Sequence, residues 1–341
     1  MRRFEFARLS ASAAALTLAL SGCVTAPPAG TPATGGEAQR PRPTNPPPMT
    51  VPTPAPSVRP GAFIPPRVMN MPGLEGVIGS NAAALEAIHN FTLTHDEVMD
   101  EDELRHGVAS AHAEFGVATA INAGDALFAY AFEMVTDSDC SDALRAELVR
   151  HLAITVREIA EGQQMDMDFE ERETVAPAEY LEMVRLKTSI LFGSAAFGGA
   201  RIGGADAREA LELRQMAIDV GLGFQIWDDY LDATAPAETL GKPSGSDIRQ
   251  GKRTLLVIEA LDRAAPDDRA RLAAILDGGD SSDAEVAEAV AIMERSGALA
   301  ACHERANGYL QGVRDTLAKY PQSEPRQLFE ALLEYMVTRG Y

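Results

Sequence analysis

The stretch "GLGFQIWDDYLD", residues 221–232, sets three aspartates within five positions of an otherwise apolar run. Read at helical spacing with the residues before it, Leu213, Ala217, Val220, Phe224, Trp227 and Leu231 form one apolar stripe, the pattern of a helix buried on one side. Gln225, Asp228 and Asp232 recur on a neighbouring stripe with Asp229 alongside, so the carboxylates converge over about one turn. Like charges that close raise one another's pKa and cost stability on a half-buried helix, unless a cation sits among them. Oxygen ligands with no nearby His or Cys favour a hard ion, Mg2+ before Zn2+. On this stretch alone, an acidic solvated face is the competing reading.

A second acidic run, "HNFTLTHDEVMDEDELRHG", occupies residues 89–107 and is entered by the helix-forming "NAAALEAI". His89, Thr92, Asp96 and Asp100 share one stripe, with Glu97 beside it. If the two acidic helices face each other across a cavity, they form an all-oxygen cage for more than one Mg2+, suited to holding a diphosphate while its ester bond ionises. Lys242, Lys252 and Arg253, in "GKPSGSDIRQGKRT", would meet the same phosphates.

The whole chain sets the frame. Its 341 residues could hold one large or two ordinary domains, and 46% hydrophobic content suffices for a core. A formal net charge of -20 argues against nucleic acid or an acidic membrane surface as the main partner. An anionic ligand would therefore need a metal or a local cluster of Lys and Arg. From about Pro72 to Tyr341, helix-length periodic stretches alternate with short Gly, Pro and Asp breaks, and almost nothing alternates at period two. One all-α domain over 72–341 is expected.

The N-terminus is different in kind. "MRRFEFARLSASAAALTLALSGC" places Arg2, Arg3 and Arg8 ahead of an apolar run too short to span a bilayer comfortably, the build of an export signal over residues 1–22. Its end, Leu20-Ser21-Gly22-Cys23, resembles a bacterial lipoprotein cleavage box. That resemblance implies acylation of Cys23 and a lipid anchor in the bacterial cell envelope; a start codon set too far upstream of a cytoplasmic enzyme is the competing reading. Residues 23–71, with "RPRPTNPPPMTVPTPAPSVRP", read as an extended, Pro-rich tether without a core. Cys140 and Cys302 lack metal-ligand spacing and read as small buried residues, or as one disulfide if the protein is exported.

Taken in order, "HDEVMD" through "RHG", "AINAGDALFAYAF", "GQQMDMDFE", "YLEMVRLKT", "FQIWDDYLD", "GKPSGSDIRQGKRTLL" and the closing "LLEYMVTRGY" resemble the trans-polyprenyl diphosphate synthase family. The resemblance runs from about Asn81 to the end. It implies an isoprenoid-synthase helical bundle around a central cavity, and a Mg2+-dependent prenyltransferase that ionises an allylic diphosphate and condenses it with isopentenyl diphosphate. It further implies that Asp96, Glu97, Asp100, Asp228, Asp229 and Asp232 bind Mg2+. Arg105, Lys187, Lys242 and Lys252 would hold the allylic diphosphate. Thr188 and Gln225 would present oxygens to the developing cation, with Gln163 and Asp166 along the same cavity. Phe91 and Thr92 would limit the product to a short chain, and a homodimer is implied.

The chain departs from the family pattern at the acceptor side. The first acidic motif reads DExxD, with Glu97 at its second position, and the usual RRG reads Arg105-His106-Gly107, trading a permanent charge for a titratable one. Upstream, the family's GGKRxRP loop has only "APSVRP" to match it, with Pro56 at the lysine position and Arg59 at an arginine position. Of the acceptor contacts, His89 remains, Arg59 is a poor match, and two charges are gone. Two further readings follow: a terpene-synthase-like enzyme that uses the allylic site without isopentenyl diphosphate, or a lipid-tethered binder of prenyl diphosphates.

Overall fold

The computed structural model describes residues 75–105, 108–170, 172, 174–235, 244–279 and 281–338. The expected signal, tether and anchoring cysteine, and with them Arg59, His106 and Lys242, lie outside the described residues.

The chain opens on α1 (Glu75–Met99), which ends in the first acidic run. A two-residue ribbon, β1 (Leu104–Arg105) against β2 (Val108–Ala109), interrupts the otherwise helical chain. Strands that short cannot show a period-two pattern, and the sequence reading has no place for them. Next come α2 (Ala111–Phe115), α3 (Val117–Thr136) and α4 (Asp142–Glu170). Pro177 starts α5 (Pro177–Val184) at a position where its missing N–H costs nothing. The chain then passes through a π-turn at Arg185–Ser189 into α6 (Ile190–Ile202). Asp206 caps α7 (Ala207–Thr234) by accepting from Glu209 N at 2.9 Å. The remainder is α8 (Ser246–Arg249), α9 (Leu255–Arg263), α10 (Pro266–Asp277), α11 (Asp283–Arg295), α12 (Ala298–Leu317) and α13 (Glu324–Thr338).

Helices α1 and α3 pack together, α7 packs between α6 and α12, and the π-turn lies against both α4 and α7. The predicted apolar stripe of α7 is the centre of the core: Leu213, Ala217, Val220 and Phe224 are buried, and the stripe reaches half-buried Trp227 and Leu231 at the end that carries the acids. Helix α6 is buried at nearly every position, which its Gly- and Ala-rich sequence permits. Two glycines set how closely the flanking helices approach the π-turn. A Cβ on Gly162 would stand 2.3 Å from Lys187 N, and one on Gly221 would stand 2.7 Å from Ser189 Cα. Either substitution would push helix backbone away from the turn. Cys140 and Cys302 are both free, so the small-residue reading holds and the disulfide does not.

Among the described residues no helix is long and apolar enough to cross a membrane.

Candidate functional site

A cavity of about 830 Å³ opens where the C-terminal ends of α1, α4 and α7 meet the π-turn and the segment 247–254. Lys187 stands at its centre. Its Nζ is 2.6 Å from Asp166 Oδ2 on α4 and 3.2 Å from Asp96 Oδ1 on α1, so one ammonium joins two helices. Burial alone would lower the Lys187 pKa, but the two carboxylates outweigh it and hold the value above the ordinary one. Lys187 is charged at any physiological pH.

Asp100 lies one turn beyond Asp96, and its carboxyl is pushed above the usual range, first by burial and then by Asp96; Lys187 and Lys252 pull it partly back. The predicted convergence of charge on α1 is thus present, with Lys252 close enough to feel it. Gln164, rather than Gln163, lines the cavity with Asp166.

The six expected metal-binding acids divide into two groups. Asp96 and Asp100 converge beside the cavity, and Asp228 is half-buried on the same turn of α7 as Asp229. Glu97, Asp232 and Asp229 are each engaged by partners elsewhere in the fold, as Asp96 is by Lys187. The Glu97 side chain is only 8% exposed and lies 3.4 Å from Arg105 Nε, so this pair holds the β-ribbon onto α1. Asp232 accepts from Ser246 Oγ at 2.6 Å and from Asp247 N at 3.1 Å, pinning the start of α8 to the end of α7. Asp229 is buried, with Oδ2 accepting a short hydrogen bond from Tyr180 and Oδ1 accepting from Gln225 Nε2 at 3.0 Å. Burial, followed by the charge of Asp247, drives the Asp229 carboxyl well above its ordinary range, and burial drives the Tyr180 phenol up as well. The sequence reading treated all six as equivalent because it sees spacing along a helix and not the partners brought from elsewhere.

Thr188 and Gln225 line the cavity side by side, Thr188 Oγ1 donating to Gln225 Oε1 at 3.5 Å. Arg253 lines the cavity but is paired with Asp277 at 3.0 Å. His89 is buried beside Arg105, and burial together with that guanidinium lowers its pKa to about 4. Arg105 and His89, which the resemblance assigned to different diphosphates, are therefore neighbours. Thr92 donates to the His89 carbonyl at 2.9 Å. Phe91 packs edge-on to His95 and lies 5.3 Å from Phe128 of α3, which meets Phe132 at 5.2 Å, so three phenylalanines form a continuous wall.

Two residues at the cavity were not singled out from the sequence. Tyr180 sat in the quoted "YLEMVRLKT" and looked like core, and Asp247 sat in "GKPSGSDIRQGKRT" between the lysines. An aspartate set between two lysines expected to meet phosphate was the available signal.

Among the described residues no three His, Cys, Asp or Glu side chains converge on one point. Mg2+ binds through one or two carboxylates, keeps its waters and takes its other ligands from a phosphate, so a site for it does not need three converging protein side chains. Asp96 and Asp100 on α1, with Asp228 on α7, are the carboxylates whose chemistry would suit such a site.

Ammonium groups and paired carboxylates around one cavity of an all-α bundle define a protein built to hold a polyanion through cationic charge. The sequence profile of the polyprenyl synthetase family matches residues 77–293. Geranylfarnesyl diphosphate synthase of Natronomonas pharaonis is 39% identical over 272 residues, spanning 80% of this chain and 78% of its own. A short chain isoprenyl diphosphate synthase of Methanothermobacter thermautotrophicus is 42% identical over 260 residues, spanning 76% of this chain and 79% of its own. Among solved structures, polyprenyl synthase from Caulobacter crescentus, complexed with calcium and isoprenyl diphosphate, superposes with a TM-score of 0.70 at 34% identity, covering 78% of this chain and 79% of that one. The chain belongs to the polyprenyl synthetase family.

Proposed function

We propose that the chain is a Mg2+-dependent prenyltransferase that joins an allylic diphosphate to isopentenyl diphosphate and releases a short-chain prenyl diphosphate. The observation that carries this is Lys187, held between Asp96 and Asp166 at a cavity that Thr188 and Gln225 also line. The names of the relatives above agree with it.

The allylic carbon–oxygen bond breaks with its electron pair leaving on the diphosphate. The acceptor's double bond then attacks the carbocation, and a proton leaves the new unit. Lys187, Lys252 and Arg105 hold the diphosphate by charge. Mg2+, held by Asp96, Asp100 and Asp228, supplies the positive charge that makes the diphosphate a tolerable leaving group. Lys187 exchanges a carboxylate partner for a phosphate as substrate enters. Thr188 Oγ1 and Gln225 Oε1 direct oxygen toward the developing cation, and because both are fixed beforehand they need little reorganisation during reaction. Phe91, with Phe128 packed against it, is the residue that the family resemblance assigns to limiting product length.

Acylation of Cys23 and anchoring in the cell envelope belong to the same proposal and rest on the sequence alone. A homodimer also belongs to the proposal, supported by the exposed Phe115, Val117, Ile121 and Tyr130 along α2 and α3.

The test is turnover of geranyl or farnesyl diphosphate with Mg2+, with and without isopentenyl diphosphate. Elongated product only when isopentenyl diphosphate is present supports the proposal. Turnover to hydrocarbon or alcohol without it points to the terpene-synthase-like reading, and Mg2+-dependent binding without turnover to the binder.

A further inference from the structure

Asp229 belongs to the second acidic motif, yet its surroundings are unlike those of a metal ligand. It is 6% exposed, beside Tyr180 at 4%. One oxygen takes the Tyr180 hydroxyl and the other takes the amide nitrogen of Gln225 at 3.0 Å. A primary amide has two faces of opposite sign, an accepting oxygen and a donating NH2, and which one points where is set by its hydrogen bonds. With its nitrogen bound to Asp229, Gln225 has its oxygen 3.5 Å from Thr188 Oγ1 at the cavity.

We infer that Asp229 is a positioning residue rather than a metal ligand: it locks the Gln225 amide with its oxygen toward the reacting cation, and Tyr180 holds Asp229 for that task. The inference rests on the prenyltransferase reading for its kinetic consequence but not for its geometry. Without an acceptor at position 229, the amide is free to turn and present NH2, a partial positive charge, where positive charge develops. Stabilisation then becomes repulsion. Of the neighbouring acids, Asp232 is occupied by Ser246 Oγ and Asp247 N, and Asp229 takes the Gln225 nitrogen. Asp229, which takes the amide nitrogen at 3.0 Å, and Thr188, which donates to the amide oxygen at 3.5 Å, set its orientation together.

The experiment uses the full chain. In Asp229→Leu, a near-isosteric change that removes the acceptor, kcat with an allylic diphosphate should fall about tenfold to a hundredfold, the range for losing a preorganised dipole. KM for that substrate and the Mg2+ activation constant should each stay within about threefold, which is less than 1 kcal/mol of binding free energy. Once Gln225→Leu is in place, adding Asp229→Leu should cost no more than about a further factor of two, because a residue acting through another is silent when that one is gone. A tenfold weakening of Mg2+ activation in Asp229→Leu, or multiplicative losses in the double variant, overturns the inference.

A readout independent of turnover is the Gln225 side-chain amide in 15N-glutamine-labelled, ligand-free protein, assigned by its absence in Gln225→Leu. It should show a downfield, slowly exchanging proton that persists in Tyr180→Phe and disappears in Asp229→Leu. Persistence in Asp229→Leu overturns the inference, as does stronger Mg2+ binding in Tyr180→Phe, where an Asp229 oxygen is released. Tyr180→Phe removes only a hydroxyl and serves should Asp229→Leu fail to fold. If the amide signature behaves as expected while the wild type elongates no prenyl diphosphate, the functional proposal fails and the orientation of Gln225 stands.

Discussion

Lowering the pH from about 7.5 to about 5 should cost the fold about 2 kcal/mol through His151 alone. His151 sits on α4, stacked on buried Phe197 of α6 with ring centroids 3.9 Å apart, and its Nε2 has no hydrogen-bond partner. Burial, aided by Arg214, lowers its pKa from 6.5 to about 3. The fold thus binds the neutral ring, so the contribution is complete above the unfolded value and is lost as pH falls below it, until the folded value is reached. At about pH 5 the unfolded imidazole is almost fully protonated and the folded one almost neutral. The ratio of the two binding terms is then about thirty, and RT times its logarithm gives about 2 kcal/mol. Other groups contribute too, His89 in the same sense because its pKa is also lowered and Asp100 in the opposite sense because its pKa is raised, so the measurement has to be a difference. Urea unfolding of wild type and His151→Phe, which keeps the stacking and removes the titration, should be compared at both pH values. The wild type should lose about 2 kcal/mol more than the variant. If the two losses agree within about 0.5 kcal/mol, the ring is already accessible to protons in the fold and the reasoning fails.

Lys187→Met should lower ligand-free stability by about 1–3 kcal/mol, since it leaves Asp96 and Asp166 facing each other without a cation, and Mg2+ should restore part of that; melting temperatures with and without Mg2+ decide it, and an unchanged ligand-free value would count against the bridge. Phe91→Ala should lengthen the product little by itself because Phe128 and Phe132 stand behind it, whereas Phe91→Ala with Phe128→Ala should lengthen it by at least one isoprene unit, as chromatography of the products would show. Equal product lengths in the single and double variants would remove Phe128 from the wall. Cys23→Ser should release the protein from the membrane fraction or leave it unprocessed, and identical fractionation of wild type and variant into the cytosol would remove the anchor.

The helical bundle was legible in the sequence because the stripe from Leu213 to Phe224 repeats with the helical period and charges interrupt it only where the cavity begins. Asp96 and Asp100 were legible for a related reason: two acids on one stripe of a half-buried helix are hard to explain without a cation. What stayed hidden depends on contacts between segments distant in sequence. Glu97 and Asp232 have the same spacing as their neighbours, and only the ribbon carrying Arg105 and the turn carrying Ser246 distinguish them. Tyr180 reads as another apolar position until Asp229 is found against its hydroxyl, 49 residues along the chain. The π-turn is invisible because its own Leu186 and Ser189 are buried, as small or apolar residues of a continuous helix would be.

That turn acts as a phase shifter. Ile190 N reaches back to Arg185 O, a five-residue step in place of the usual four, so everything before it is rotated by about one residue, roughly 100°, relative to a continuous helix. Helix α6 keeps its register in the core while Lys187 and Thr188 are turned to the cavity. The chemistry-bearing side chains and the packing side chains can therefore be aimed separately along one rod. Removing a single residue here would let the rod close into ordinary helix and preserve the bundle, while swinging the ammonium away from both carboxylates.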